Sequence, residues 1–361
     1  MSAKKEVFRP NPLNQEDLSD QLAGWLRDRI ASGRYKPGEK LPTMRELAEA
    51  SRVSFKTARK AIERLTREGY VNARPHIGSV VMPKNITVWN GRVLLVVPEE
   101  DETSYFVNAF LGEVRRWLTA AGYLATRVCV SRAPKGSCAQ LETMLGQAVD
   151  FALVMYGTPR IGRMLSASGV PYIDFCGTKA KGRNAWHFPS GDADAIAHFV
   201  EHCRRAGVRT VTEVDFGSPG TTSACAELSA AGIKVRHVAV KPREDRGRLE
   251  GIERAAFDFF LRLGRDDFPD LFLVWDDYVT RGLLTAMLAR GIEIPADVKL
   301  VTFANAGFTP VSTKSLTRIE HDPIRCGEMA AEFIRDVLAK GRVPDPPVYV
   351  LSYIIGETFP Y

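Results

Sequence analysis

The sequence predicts two architectures in one chain of 361 residues. A small, mostly helical domain occupies 1–84, and a two-lobed α/β body with parallel sheets occupies 92–361, joined by a short linker at 85–91. Three observations predict this. Helical periodicity with capping signals and a tight hairpin fills the first 84 residues. Beyond residue 92, short apolar runs of strand length alternate with helical stretches at least seven times. The charge is segregated as well: residues 1–87 hold 17 Lys and Arg against 10 Asp and Glu, while the remainder holds 32 against 33. A basic head on a neutral body suggests that the head meets a polyanion.

The head reads element by element. Leu18, Leu22, Trp25, Leu26, Arg29 and Ile30 follow 3.6-residue spacing, which predicts a helix over 15–32 closed by Gly33. After the turn-rich YKPGEKLP, Thr43 can cap a second short helix, with Glu46 completing a capping box. Ser54 caps a third helix reaching about Glu68, stopped by Gly69. Its inward stripe is Ala58, Ala61, Ile62 and Leu65; its outward face carries Lys56, Arg59, Lys60, Arg64 and Arg67 against Glu63. Two short strands around Arg74–Gly78 form a hairpin. The whole is a winged helix-turn-helix. A helix that starts with small polar and basic residues can enter a DNA major groove, and the hairpin can touch the neighbouring groove or backbone.

The run IASGRYKPGEKLPTMRELAEASRVSFKTARKAIERLTREGYVNARPHIGSVV resembles the DNA-binding domain of the GntR family of bacterial transcription regulators. It carries that family's G-x-(Y/L)-x-P-G-x-x-L-P-(S/T)-x-R-x-L-A, V-S-x-x-T-x-R-x-A-x-x-x-L-x-x-x-G and G-(S/T)-x-V patterns. The resemblance implies that Arg45, Ser54, Lys56, Thr57 and Arg59 face DNA, with Lys60 on the same basic face and His76 near the wing tip. Many members place Arg after the Ser or Thr that opens the third helix. Here Phe55 stands there, where it can meet a thymine methyl or pack back onto the protein.

In the body, strands are expected at 92–97, 124–130, 151–155, 172–175, 210–215, 234–240, 271–275 and 299–303. Helices are expected at 108–121, 140–147, 159–166, 192–206, 223–231, 249–263 and 278–290. Repeated βα units with apolar strands mean parallel sheets covered on both faces. Ligands of such folds bind outside the carboxyl ends of the strands. The segments PDLFLVWDDYVTRGLLTAMLARGIEIPADVKLVTFANAGF and SLTRIEHDPIRCGEMAAEFIRDVLAKG resemble the effector domain of LacI/GalR regulators, which is similar to periplasmic sugar-binding proteins. A GntR-like head on such a body is an arabinose-repressor-like architecture.

That resemblance implies chain crossings between lobes near Phe188, Asn305 and Arg342. The first lobe is then about 92–188 and 305–341, and the second about 189–304 and 342–361. It also makes Asp277 the leading ligand contact; the alternative is that Asp277 caps the helix over 278–290. Glu99, Tyr105, Tyr156, Phe188, Arg246, Trp275 and Asn305 complete the candidates, with aromatic rings suited to the apolar face of a sugar. The loop at 217–222 lacks the Arg that many family members carry there. The implied partners are operator DNA, a sugar or sugar-acid effector and a second copy of the chain, in a homodimer.

Other classes find little support. No G-x-G-x-x-G follows a strand, and neither G-x-x-x-x-G-K-(S/T) nor G-x-S-x-G occurs, so no enzyme activity and no cofactor are expected. His198 and His202 have metal-binding spacing but lack a third ligand, which predicts a solvated helix face and no metal site. No apolar run approaches membrane-spanning length and the N-terminus has no signal-like apolar core, so a cytoplasmic protein is expected. The six cysteines are widely spaced and read as reduced, buried thiols.

Overall fold

In the computed structural model of the chain, residues 8–10, 16–74, 78–82, 89–133, 135–177, 184–188, 190–216, 223–242, 248–340, 345–346 and 348–361 are described. They divide into two compact units, 1–90 and 91–361.

The head contains α1 (Leu18–Ala31), α2 (Met44–Ser51), α3 (Phe55–Arg67) and the antiparallel hairpin β1 (Val71–Arg74) and β2 (Gly78–Val81). Each helix start is fixed by a side chain. Asp17 caps α1, Ser54 caps α3, and Thr43 with Glu46 forms the expected capping box on α2. Leu22, Leu26, Leu47, Ala58, Ala61, Ile62, Leu65 and Val81 form one core. One expectation about the outer face of α3 is corrected: Arg64 pairs with Asp20 of α1 and with Glu68, so it ties α3 to α1.

The body begins with β3 (Gly91–Pro98), α4 (Tyr105–Ala120), β4 (Tyr123–Val130), α5 (Ala139–Leu145), β5 (Phe151–Met155), α6 (Pro159–Ser168), β6 (Tyr172–Phe175) and β7 (Ala185–Phe188). These strands make a wholly parallel sheet in the order β4-β3-β5-β6-β7. Its two faces alternate along the chain, as a doubly covered sheet requires. Val93, Leu95 and Val97 pack with α4, while Leu94 and Val96 pack with α5 and α6. The short strand β7 was not anticipated from the sequence.

The second lobe follows through β8 (Ser190–Gly191), α7 (Ala193–Arg205), β9 (Thr210–Asp215), α8 (Ser223–Ala230), β10 (Lys234–Ala239), α9 (Arg248–Arg262), β11 (Leu271–Trp275), α10 (Asp277–Ala289), β12 (Lys299–Asn305) and β13 (Thr317–His321). After α11 (Pro323–Lys340) come β14 (Tyr349–Val350) and β15 (Ser352–Ile354). The sheet order is β10-β9-β11-β12-β13-β15, parallel except for β15, which runs antiparallel to β13. Leu273, Val301 and Ile319 face one layer, and Phe272, Val274 and Leu300 the other. Gly282 lets α10 seat on α9, because a Cβ there would run into the Glu253 carbonyl and Ala256.

The second crossing differs from expectation. Beyond Asn305 the chain turns and enters β13, which pairs with β12 in the same sheet. It leaves the second lobe only after His321, when α11 packs on α4 of the first. The third crossing was expected near Arg342, which lies outside the described residues; β14 pairs with β8, beside the first crossing.

Candidate functional site

Most of the DNA-facing candidates of the head are solvent-exposed. Arg45 lies exposed on α2, and Phe55, Lys56, Arg59 and Lys60 lie exposed on α3. Ser54 and Thr57 serve the cap: the Thr57 backbone N–H donates to Ser54 Oγ at 3.0 Å, and the two hydroxyls are bonded at 2.8 Å. Arg59 lies 3.3 Å from Glu63, one turn along the helix. His76 lies outside the described residues.

In the body, the strongest cluster surrounds the carboxyl ends of β11 and β12. Asp276, not Asp277, caps α10: its Oδ1 accepts from the backbone of Tyr278 and Val279 at 2.8 and 3.2 Å. Asp277 is the first residue of the helix and is 0% exposed. Its Oδ2 accepts from the Asn305 backbone N–H at 3.1 Å and the Asn305 side-chain amide at 2.7 Å. Its Oδ1 is buried without a hydrogen-bond partner among the described residues. Burial pushes this carboxyl up to about 6, against the opposing pull of the Asn305 bonds.

Tyr105, at the first position of α4 in the other lobe, reaches the same region. Its ring stacks on Phe308 at 4.4 Å, its hydroxyl donates to the Ala306 carbonyl at 3.2 Å, and its backbone N–H donates to the Tyr278 hydroxyl at 3.4 Å. Arg281 covers the other side of the group, 4.2 Å from the Phe308 ring centre. The structure thus brings Asp277, Asn305 and Tyr105 into one neighbourhood. Tyr278, Arg281 and Phe308 belong to it and were missed by sequence reasoning, although all three lie within four residues of an identified candidate.

The other candidates stand apart. Trp275 stacks on Phe303 at 3.8 Å and donates its indole N–H to buried Glu213 at 2.7 Å. Tyr156 follows β5 with φ of 50°, and Glu99 lies exposed after β3. Phe188 is corrected: at 1% exposure, packed 5.3 Å from Phe175, it is a core residue with no face to offer a ligand. Arg246 lies outside the described residues.

One further buried acid was missed. Asp174, in the middle of β6, accepts from the Gly157 backbone N–H at 3.1 Å. Burial pushes it up to about 7. Side chains at Gly157 or Gly177 would occupy the space of this carboxyl. A charged residue inside Tyr-Ile-Asp-Phe, an otherwise apolar strand, was the available signal.

Two bland readings also change. His202 is buried rather than solvated, bonded to the Tyr353 hydroxyl at 2.7 Å and stacked on Phe359. Its neighbour His198 is exposed, so the pair shares no site. Cys176 is exposed, whereas Cys138, Cys203, Cys225 and Cys326 are buried thiols. Among the described residues no cluster of three or more His, Cys, Asp or Glu has metal-binding geometry, and no helix is long and apolar enough to cross a membrane.

Comparison with known proteins gives both halves a context. Residues 18–81 match the family model "Bacterial regulatory proteins, gntR family", and residues 164–359 match "Periplasmic binding protein-like domain". The arabinose metabolism transcriptional repressor of Geobacillus stearothermophilus is 21% identical over 343 residues, covering 90% of this chain and 91% of that protein. The HTH-type transcriptional regulator YdcR of Escherichia coli is 40% identical over 80 residues; the match spans 22% of this chain and only 17% of YdcR. Among solved structures, a LacI family transcriptional regulator from Bifidobacterium animalis superposes with a TM-score of 0.59 at 16% identity, covering 74% of this chain and 97% of that one. The LacI family regulator CCPA from Weissella paramesenteroides, solved with bound glucose, has a TM-score of 0.61 at 13% identity and covers 74% of this chain and 98% of its own.

Proposed function

We propose, for a chain that belongs to the periplasmic binding protein-like domain family and carries a gntR-type head, the role of a ligand-responsive transcriptional regulator: a repressor released from its operator by a sugar or sugar-derived effector. The observation that carries this reading is the pairing of two surfaces in one chain. The head presents Arg45, Lys56, Arg59 and Lys60 to solvent around a capped helix. The body gathers Asp277, Asn305 and Tyr105 where strand ends of one lobe meet the other.

Each surface has a physical task. The basic face of α3 supplies the cations that displace counterions from the phosphate backbone, and its first turn reaches base edges in the major groove. Two copies place two such helices in successive major grooves of a near-palindromic site. In the body, the buried Asp277 oxygen is a strong acceptor for a hydroxyl group, and neighbouring rings offer apolar faces. Arg246 is proposed as a cationic contact for an acidic group on the effector, with Glu99, Tyr156 and Trp275 at the margins. An effector that binds one lobe arrangement better than the other shifts the population of that arrangement and with it the spacing of the heads. On this reading the body senses rather than catalyses, and the protein works in the cytoplasm. A relative named for arabinose metabolism and a neighbour solved with bound glucose support the sugar class.

The test is a thermal-shift screen of the full chain against sugars and sugar acids, followed by gel shifts with DNA selected by the protein. A compound that raises the melting temperature and releases DNA is the expected result. A protein that enriches no sequence from a random duplex pool would overturn the reading.

A further inference from the structure

Phe55 occupies the first position of α3 and is 50% exposed. Among the described residues, no aromatic ring or guanidinium packs on it, and it is neither in the head core nor among the side chains packed against that core. The alternative that it folds back onto the protein is therefore not realised. Two polar side chains beside it are engaged in the cap: Ser54 and Thr57 bond to each other and to the helix start. What the first turn presents to solvent is the Phe55 ring and, next in sequence, the exposed Lys56 side chain.

A large apolar side chain left exposed at the tip of a helix, inside a basic surface, has one chemical partner in a major groove. Guanine offers O6 and N7, adenine N7 and N6, cytosine N4; a phenyl ring satisfies none of these and would desolvate them. Thymine alone offers a methyl group. We infer that Phe55 is a specificity-determining residue that reads the 5-methyl group of a thymine in each operator half-site. The inference rests on the DNA-binding reading above and sharpens it: the flanking cations supply charge complementarity to the duplex, and Phe55 supplies the selection.

The experiment uses the full chain and a random duplex pool. DNA selected by the wild type is expected to hold an invariant thymine at one position per half-site, and that preference is expected to vanish in the pool selected by Phe55→Ala. In the wild-type sequence, replacing that thymine by deoxyuridine removes only the methyl group. It should weaken binding about fourfold per half-site, the worth of one buried methyl-sized group. The Phe55→Ala protein should bind the thymine and deoxyuridine duplexes equally, and Phe55→Leu should keep part of the difference. Salt-dependent binding to a selected sequence with no thymine preference, or with equal affinity for both duplexes, would overturn the role of Phe55 and leave the regulator reading standing. A pool without any enriched sequence would overturn that reading itself. Because Phe55 lies outside the core, circular dichroism of Phe55→Ala should match the wild type, which separates lost recognition from lost folding.

Discussion

Asp277 and Asn305 are joined twice through a single oxygen: the backbone N–H and the side-chain amide of Asn305 both donate to Asp277 Oδ2. The arrangement ties the first turn of α10 to the end of β12 and leaves Oδ1 buried with no hydrogen-bond partner among the described residues. Removing the carboxyl and changing its charge should therefore have different effects.

Asp277→Ala orphans the Asn305 backbone N–H and should lower stability by about 1–3 kcal/mol. Asp277→Asn keeps an acceptor for Asn305 and should melt near the wild type. Because it also removes a buried charge, it should melt no lower than the wild type at neutral pH. It should, however, lose its response to the effector while binding operator normally. Chemical denaturation of both variants and a gel-shift titration with effector check this; an Asp277→Asn protein that releases DNA at the wild-type effector concentration would remove Asp277 from the binding site.

Asp174 and Asp277 are held up to about 7 and about 6 by burial. An unfolded carboxyl ionises near pH 4, about its ordinary value. Between there and neutrality the folded chain keeps protons that the unfolded chain releases. Stability should fall as pH rises through this window and level off above it. Asp174→Asn should melt higher than the wild type at pH 8, by on the order of 5 °C, and nearly equal it below about pH 4. Scanning calorimetry at the two pH values reads the difference.

Arg45→Ala and Arg59→Ala should each weaken operator binding by about 1–3 kcal/mol if they meet base edges. Loss that is uniform across sequences, with a shallower salt dependence, would instead mark phosphate contacts. Binding measured at several salt concentrations on matched and mismatched duplexes distinguishes the two.

The Tyr105–Phe308 stack links the first position of α4 to the turn after β12. Phe308→Ala removes the stack and should raise the effector concentration for half-release about three- to tenfold. Tyr105→Phe keeps the ring and loses only the bond to the Ala306 carbonyl, so its effect should be smaller. Unchanged titration curves for both would show that this contact takes no part in effector response.

Much of this arrangement is legible in the sequence because local chemistry decides it. Thr43 with Glu46 marks one helix start without reference to the rest of the chain, and βα alternation marks the strands from Val93 onward. Asp277 comes forward for a different reason, through the resemblance to LacI/GalR effector domains rather than through its local chemistry. What escapes is decided by distant partners. The cap falls to Asp276 because that residue takes φ of 77° at the strand end, a backbone choice invisible in two adjacent aspartates. His202 reads as solvated until Phe359 and Tyr353 close over it from about 150 residues away. The crossing expected at Asn305 moves to His321 because β13 has a free edge of β12 to pair with, and a five-residue strand carries too little pattern to announce its sheet.

The interleaving of the two lobes along the chain bears on how the protein is made. The second lobe's sheet ends with β15, and the first lobe packs α4 against α11, so neither lobe is a contiguous segment. During synthesis the first lobe cannot finish until α11, ending at Lys340, has left the ribosome, nor the second until β15, ending at Ile354, has followed. The head needs only residues up to Val81 for its core. Folding proceeds vectorially in growing chains, N-terminal domains first. A half-made chain therefore already owns a DNA-binding surface but has no working sensor, and truncation anywhere between the two points yields a binder deaf to its signal.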